Sequence, residues 1–191
     1  MTVADILPEL LSDRAFYEGT GGGVTLSGGE CLMQPEFCVE LLKTLKENGI
    51  NTAVDTCGYV SREVVDSVLP YTDTFLYDIK AIDKDVHIKC TGVSNELILE
   101  NFRYIYSRGK DIEVRIPYVP NWNDGEIEAV AKFLSEHPNI KGVRVLAYHN
   151  YAASKYTSLG LSVELPERVP TTEEMNAAKA CLKAYGVNVL G

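Results

Sequence analysis

The sequence has no run of about 18 apolar residues, so a membrane-spanning helix is excluded. It has no basic segment leading into an apolar stretch at Met1, and a secretory leader is not expected. It has no cluster of Lys and Arg interleaved with aromatics. Its 18 Lys+Arg stand against 27 Asp+Glu, a net charge of −9, which argues against a nucleic-acid partner. Cysteine is present but unpaired in pattern: Cys31, Cys38, Cys57, Cys90 and Cys181 are odd in number, with no Cys-x-x-Cys and no grouping with His87, His137 or His149. Neither a disulfide framework nor a zinc site fits that spacing. Reduced thiols in a cytoplasmic protein are the plain reading.

What is there is alternation. Short apolar or β-branched runs at Gly23–Leu26, Asn51–Asp55, Thr74–Tyr77, Ile112–Val119 and Gly142–Tyr148 read as strands, separated by amphipathic helical stretches. Pro35 to Asn48 carries Phe37, Cys38, Leu41, Leu42 and Leu45 on one face and stops at Gly49. Ser61 caps a short helix ending before Pro70. Ser94 caps another carrying Ile98, Phe102 and Ile105. Asn123 and Glu126 have capping-box spacing ahead of Ile127, Val130, Ala131 and Leu134. Thr171 and Glu174 repeat it ahead of Met175, Ala178, Leu182 and Tyr185. The pattern predicts parallel βαβ units in a single α/β domain over residues 1–191. The order opens with a helix over Thr2 to Leu11, interrupted by Pro8, with no strand before it. The chain is therefore expected to start one βα unit late.

Parallel βα barrels build their sites from the C-terminal ends of strands. Here those ends carry Ser27-Gly28-Gly29-Glu30, then Asp55-Thr56-Cys57-Gly58, then Asp78-Ile79-Lys80, with Arg115 inside the fourth strand and Tyr148-His149 after the fifth. Each has a plainer reading: Gly28-Gly29 as a simple turn, Asp55 and Asp78 as helix caps, Lys80 as a solvated head, His149 as a loop residue. Arg115 is harder to set aside, because a guanidinium in an apolar run needs an anionic partner. Taken together, a glycine turn beside Glu30, two aspartates and an arginine suit an amino acid or an amino-acid-derived cofactor.

The string Gly22-Gly23-Val24-Thr25-Leu26-Ser27-Gly28-Gly29-Glu30, followed by Gln34-Pro35-Glu36-Phe37, resembles the glycyl radical enzyme activating enzymes of the radical S-adenosylmethionine superfamily. Asp55-Thr56-Cys57-Gly58-Tyr59, Tyr77-Asp78-Ile79-Lys80, Thr91-Gly92-Val93-Ser94-Asn95, Arg115-Ile116-Pro117, Tyr148-His149 and Lys155-Tyr156 follow in the same order. The resemblance implies an α/β partial (β/α) barrel lacking its first βα unit. It implies a [4Fe-4S] cluster that reductively cleaves S-adenosylmethionine, and a 5′-deoxyadenosyl radical that takes hydrogen from a glycine of a partner such as pyruvate formate-lyase. Reduced flavodoxin or ferredoxin is the implied electron donor. By motif position, Gly28, Gly29 and Glu30 hold the methionine amino group of the cofactor. Asp55, Lys80, Arg115 and His149 line the rest of its pocket, and Asp55, Thr56 and Asp78 are a candidate monovalent-cation site.

One departure is large. The family holds its cluster with a Cys-x-x-x-Cys-x-x-Cys loop, and this sequence has none. Cys57 matches a position that is not a ligand, and Cys31 stands where a proline is usual. Val119-Pro120-Asn121 and Ala152 are smaller departures in loops. Without three thiolates the chain is not expected to hold the cluster or generate a radical alone. An open sheet edge would invite self-association. Two other readings stay open: a non-catalytic remnant that binds S-adenosylmethionine or the partner, and a Schiff-base barrel aldolase using Lys80.

Overall fold

The computed structural model describes residues 2–149, 166 and 168–191. Its strands are β1 (Gly23–Leu26), β2 (Asn51–Thr56), β3 (Thr74–Asp78), β4 (Asp111–Tyr118) and β5 (Gly142–Ala147), in one open sheet of order β1-β2-β3-β4-β5. The helices are α1 (Val3–Ser12), α2 (Arg14–Thr20), α3 (Pro35–Glu47), α4 (Arg62–Val68), α5 (Lys84–Thr91), α6 (Glu96–Ser107), α7 (Ile127–Ser135) and α8 (Thr172–Ala184). Among the described residues, no helix is long and apolar enough to cross a membrane. The chain divides into two compact units, Met1–Asp78 with Leu97–Glu113, and Ile79–Glu96 with Val114–Gly191.

In the first unit β1 pairs with β2 in parallel, Gly23 opposite Asn51 through Leu26 opposite Val54, and β2 pairs with β3, Ala53 opposite Thr74 through Thr56 opposite Tyr77. Strand alternation then sorts the side chains. Val24, Leu26, Thr52, Val54, Thr56, Phe75 and Tyr77 are buried on one face. With them in the core are Cys38, Leu41, Leu42 and Leu45 of α3, Val65 and Val68 of α4, and Ile98, Phe102 and Ile105 of α6. Burying each large side chain contributes about 1.5–3 kcal/mol. The opposite face carries Thr25, Asp55, Leu76 and Asp78, none of them fully buried.

Asp73 ties this unit together at the start of its strands. Lys46 Nζ donates to both its oxygens at 2.6 and 2.9 Å, and the Thr52 main-chain N–H and hydroxyl donate to Oδ2 at 2.9 and 3.1 Å. Burial pushes the Asp73 carboxyl up, but the hydrogen bonds from Lys46 and Thr52 outweigh it and hold it below the ordinary 3.8. A carboxyl depressed on folding stabilises the fold above its unfolded value and loses that contribution as pH falls through the folded one. Asp73→Asn is therefore expected to cost about 1–2 kcal/mol at pH 7. Denaturant titration should show the gap to wild type shrinking below about pH 4. A gap that is unchanged at pH 3 would contradict the assignment.

In the second unit Asp83 caps α5, accepting from the N–H groups of Asp85 and Val86 at 2.9 Å each. Ile127, Val130, Ala131 and Leu134 of α7 and Ala178 and Leu182 of α8 are buried. The Tyr185 hydroxyl donates to Glu128 at 2.6 Å. Beyond α8 the chain returns beside β5, with Val143 bridged in parallel to Val189.

Several helix boundaries differ from the pattern. Helices α2 and α5 have no apolar stripe to announce them, α2 burying no residue and α5 only His87. Ser61 precedes α4 without a side-chain cap bond, but α4 stops before Pro70 as expected, with Pro70 in a 3-10 turn over Leu69–Tyr71. Asn123 and Glu126 do not form a capping box, because both side chains are taken by loop main-chain groups described below. Thr171 and Glu174 do form one, the Thr171 hydroxyl accepting from Glu174 N–H at 3.2 Å and Glu174 accepting from Thr171 N–H at 2.8 Å. Tyr185 does not join the buried stripe; it is exposed at the end of α8. Pro8 is accommodated inside α1.

Candidate functional site

The first unit gathers its polar groups after β1 and β2. The chain leaves β1 through Ser27, turns at Gly28, where φ is +153°, and reaches Glu30 in extended conformation. The Glu30 carboxylate is fixed by three neighbours. Oε1 accepts from Leu32 N–H at 3.1 Å, Oε2 accepts from Cys57 N–H at 2.8 Å, and the Thr56 hydroxyl lies 2.8 and 2.9 Å from the two oxygens. Thr56 Oγ1 in turn accepts from Gly58 N–H at 2.9 Å. All three donors to Glu30 are neutral, so they orient its charge without cancelling it. A half-buried carboxylate in that state attracts a cationic group.

Next to it lies a cavity of about 360 Å³, lined among others by Ser27, Gly28, Gly29, Glu30, Cys31 and Cys38. A Cβ on Gly28 or Gly29 would meet nothing within 4 Å, so the loop main chain faces open space. The Ser27 hydroxyl donates to Asp55 Oδ2 at 2.8 Å. Asp55 lies within β2, opposite Leu76, and Asp78 is two residues past Leu76 on β3, so both aspartates stand on one face. Neither caps a helix: Ser61 precedes α4 and Asp83 caps α5. Thr56 alternates to the opposite face, opposite buried Tyr77. The Thr56 side chain is thus not brought together with those of Asp55 and Asp78, because strand pleating separates neighbours in sequence.

The loop after β2 is clamped from α6. Asn101, fully buried, donates to the carbonyls of Gly58 and Val60 at 3.0 and 2.8 Å, and Arg62 Nε donates to its Oδ1 at 3.2 Å. The Tyr77 hydroxyl donates to Ile98 O at 2.7 Å, and burial pushes its phenol up, keeping the donor protonated.

In the second unit Lys80 follows β3 by two residues. Its carbonyl accepts from Asn123 Nδ2 at 2.7 Å, which also reaches Pro117 O at 2.7 Å, while Asn123 Oδ1 accepts from Val119 N–H at 2.8 Å. Glu126 accepts from Ile82 and Asp83 N–H at 2.8 Å each. The Arg115 carbonyl accepts from Ile79 N–H at 2.9 Å. Lys80 and Arg115 are therefore tied into one main-chain network. His149 is exposed, two residues beyond β5. Ala152, Lys155 and Tyr156 lie outside the described residues. The positioning roles of Thr56, Asn101 and Glu126, and the reach of Asn123 to Lys80, are set by contacts 26 to 44 residues away, which no local spacing reveals.

A family model described as the radical SAM superfamily matches residues 1–134. The choline trimethylamine-lyase activating enzyme of Oleidesulfovibrio alaskensis is 40% identical over 96% of this chain and 61% of its own length. The pyruvate formate-lyase 1-activating enzyme of Escherichia coli is 33% identical over 100% of this chain and 79% of its own. The chain belongs to the radical SAM superfamily, among the glycyl radical enzyme activating enzymes. A solved domain of a pyruvate-formate lyase-activating enzyme from Bacteroides vulgatus superposes with a TM-score of 0.74 at 31% identity, covering 88% of this chain and 98% of that one. The chain thus spans about three-fifths of one curated relative and four-fifths of another.

Radical SAM proteins use S-adenosylmethionine and a [4Fe-4S] cluster. The first fits these residues: an oriented, uncompensated carboxylate beside an open glycine loop suits an ammonium group. The second is held by cysteine thiolates, and this sequence has no Cys-x-x-x-Cys-x-x-Cys loop to supply them. Among the described residues, no three His, Cys, Asp or Glu side chains are grouped to hold a metal ion. None of the five cysteines is in a disulfide. Membership of this superfamily leaves the aldolase reading of Lys80 without support.

Proposed function

We propose that this chain supplies the S-adenosylmethionine site of a glycyl radical enzyme activating enzyme. The observation that carries the reading is Glu30, held by Leu32, Thr56 and Cys57 beside the open Gly28-Gly29 loop on the cavity. Glu30 and the loop take the methionine ammonium group. Asp55 holds the hydroxyl of Ser27 beside them, and Asp55 with Asp78 is the candidate cation position. Lys80, Arg115 and His149 are assigned to the same cofactor by motif position. The cofactor supplies the radical precursor; the residues named here bind and orient it. Its partner is a glycyl radical enzyme, with an electron donor of the flavodoxin or ferredoxin class. The thiols of this sequence do not supply the cluster, so the chain by itself binds the cofactor without cleaving it.

Isothermal titration of the chain with S-adenosylmethionine, before and after anaerobic treatment with iron and sulfide, tests both parts. Saturable one-to-one binding in the untreated chain is expected, with no stoichiometric four-iron retention after treatment. No saturable heat overturns the cofactor assignment. Four irons per chain, retained through desalting, overturns the statement about the thiols.

A further inference from the structure

The motif Thr91-Gly92-Val93-Ser94-Asn95 stands outside the site described so far, within the second unit. Gly92, with φ of +82°, ends α5 in left-handed backbone. Side chains close the turn that follows: the Thr91 hydroxyl donates to His87 O at 2.8 Å, and Nδ1 of the buried His87 ring lies 2.8 Å from Val93 O. Asn95 is thereby brought back to the loop that precedes α5. Its Nδ2 donates to Ala81 O at 3.0 Å and to Ile82 O at 2.8 Å. Asn123 donates to Lys80 O in the same loop, and Glu126 accepts from the N–H groups of Ile82 and Asp83. The consecutive carbonyls of Lys80, Ala81 and Ile82 are thus bound by two asparagine amides that are 2% and 4% exposed. Most connections leave such carbonyls to water. Burying amides to hold them costs desolvation, which the hydrogen bonds offset, and it gives the loop one conformation.

We propose that Asn95 is a positioning residue for Lys80, fixing the main chain from which the lysine reaches the carboxylate of S-adenosylmethionine. That carboxylate is the one anionic group of the cofactor, so it is the group a lysine ammonium would take. A lysine is a point charge on a flexible four-carbon stem, and it is aimed only as well as its own main chain is held. A misplacement of about 1 Å at such a group costs up to about 100-fold. Asn95 fits this role because both of its bonds fall on the two residues that follow Lys80. The identity of the ligand rests on the cofactor reading above; the hold of Asn95 on the loop does not.

The chain is titrated with S-adenosylmethionine and with its decarboxylated analogue, which keeps the amine, the sulfonium and the adenosine. Asn95→Ala is expected to weaken binding of the first by about 3- to 10-fold, less than the loss of about 10-fold or more expected of Lys80→Met. The analogue should bind wild type and Asn95→Ala alike, and Asn95→Ala should add no loss in a Lys80→Met background. Glu126→Ala removes the acceptor of two loop N–H groups at a half-buried residue, and should repeat the pattern if Asn95→Ala does not fold. Equal losses for both ligands, or an undiminished loss in Lys80→Met, would mean that Asn95 serves the fold and not Lys80. A wild type that binds neither ligand overturns the cofactor reading instead, and the hold on Lys80 is then read without ligand. Reductive methylation with labelled formaldehyde gives each lysine an NMR signal, and Lys80→Arg identifies the one from Lys80. That signal should stand apart from those of the exposed lysines in wild type and merge with them in Asn95→Ala. A Lys80 signal that does not move overturns the positioning role.

Discussion

Glu30→Gln is expected to weaken S-adenosylmethionine binding by about 10- to 150-fold, the loss of one charge-assisted hydrogen bond of about 1.5–3 kcal/mol. Size and reach are kept, so the substitution removes charge without opening space. It also turns one acceptor into a donor. One carboxylate oxygen faces Leu32 N–H and the other Cys57 N–H, so the amide nitrogen meets a donor whichever way it is turned. Some stability is therefore lost as well, about 1–3 kcal/mol for a donor left unsatisfied, and binding must be measured well below the melting temperature. Thr56→Val separates the two effects. It removes the hydroxyl that lies between Glu30 and Gly58 but leaves the charge. If charge is what the site offers, Thr56→Val lowers stability while affecting binding much less than Glu30→Gln. Equal losses in both variants would mean that Glu30 acts only by shaping the turn. Wild-type affinity in Glu30→Gln would remove it from the site.

This network was half visible in the sequence. Strand positions could be read because each β-branched run is short and bounded by helices with clear apolar stripes, as in α3, α6 and α7. Where a helix has no stripe, the pattern says nothing: α2 buries no residue and α5 only His87. Asn123 and Glu126 show a different failure. Their types and spacing are those of a capping box, but the loop after β3 and the end of β4 present main-chain groups that need partners, and satisfying those wins over the local cap. Glu30 itself could be picked out as a candidate from the glycine turn before it. That its carboxylate would be oriented by Thr56 and Cys57 could not, because parallel strand pairing sets that meeting.

Gly58→Ala is expected to cost about 3 kcal/mol or more, combining about 1–2 for an L-residue in left-handed backbone with about 1–3 for overpacking. Gly58 has φ of +71°, and a Cβ there would stand 1.8 Å from the Tyr77 hydroxyl oxygen and 2.4 Å from Cζ. Tyr77 has little room to retreat. It is fully buried, its ring meets Phe102 edge-on at 5.6 Å between centroids, and its hydroxyl is bound to Ile98 O. The loop cannot lift either, since Asn101 holds the Gly58 carbonyl from one side and Thr56 Oγ1 takes its N–H from the other. Thermal unfolding should fall by about 6–12 °C on the usual scaling for a chain of this size. Because Gly58 bonds Thr56 and Thr56 bonds Glu30, cofactor affinity should fall with it. The double variant Gly58→Ala/Tyr77→Phe decides the cause. Removing the hydroxyl takes away the nearest atom in the clash, so the double variant should lose less than the two single losses added together. Strict additivity would show that the cost lies in the backbone of Gly58 alone, and that the motif glycine is there for its turn and not for the approach of Tyr77.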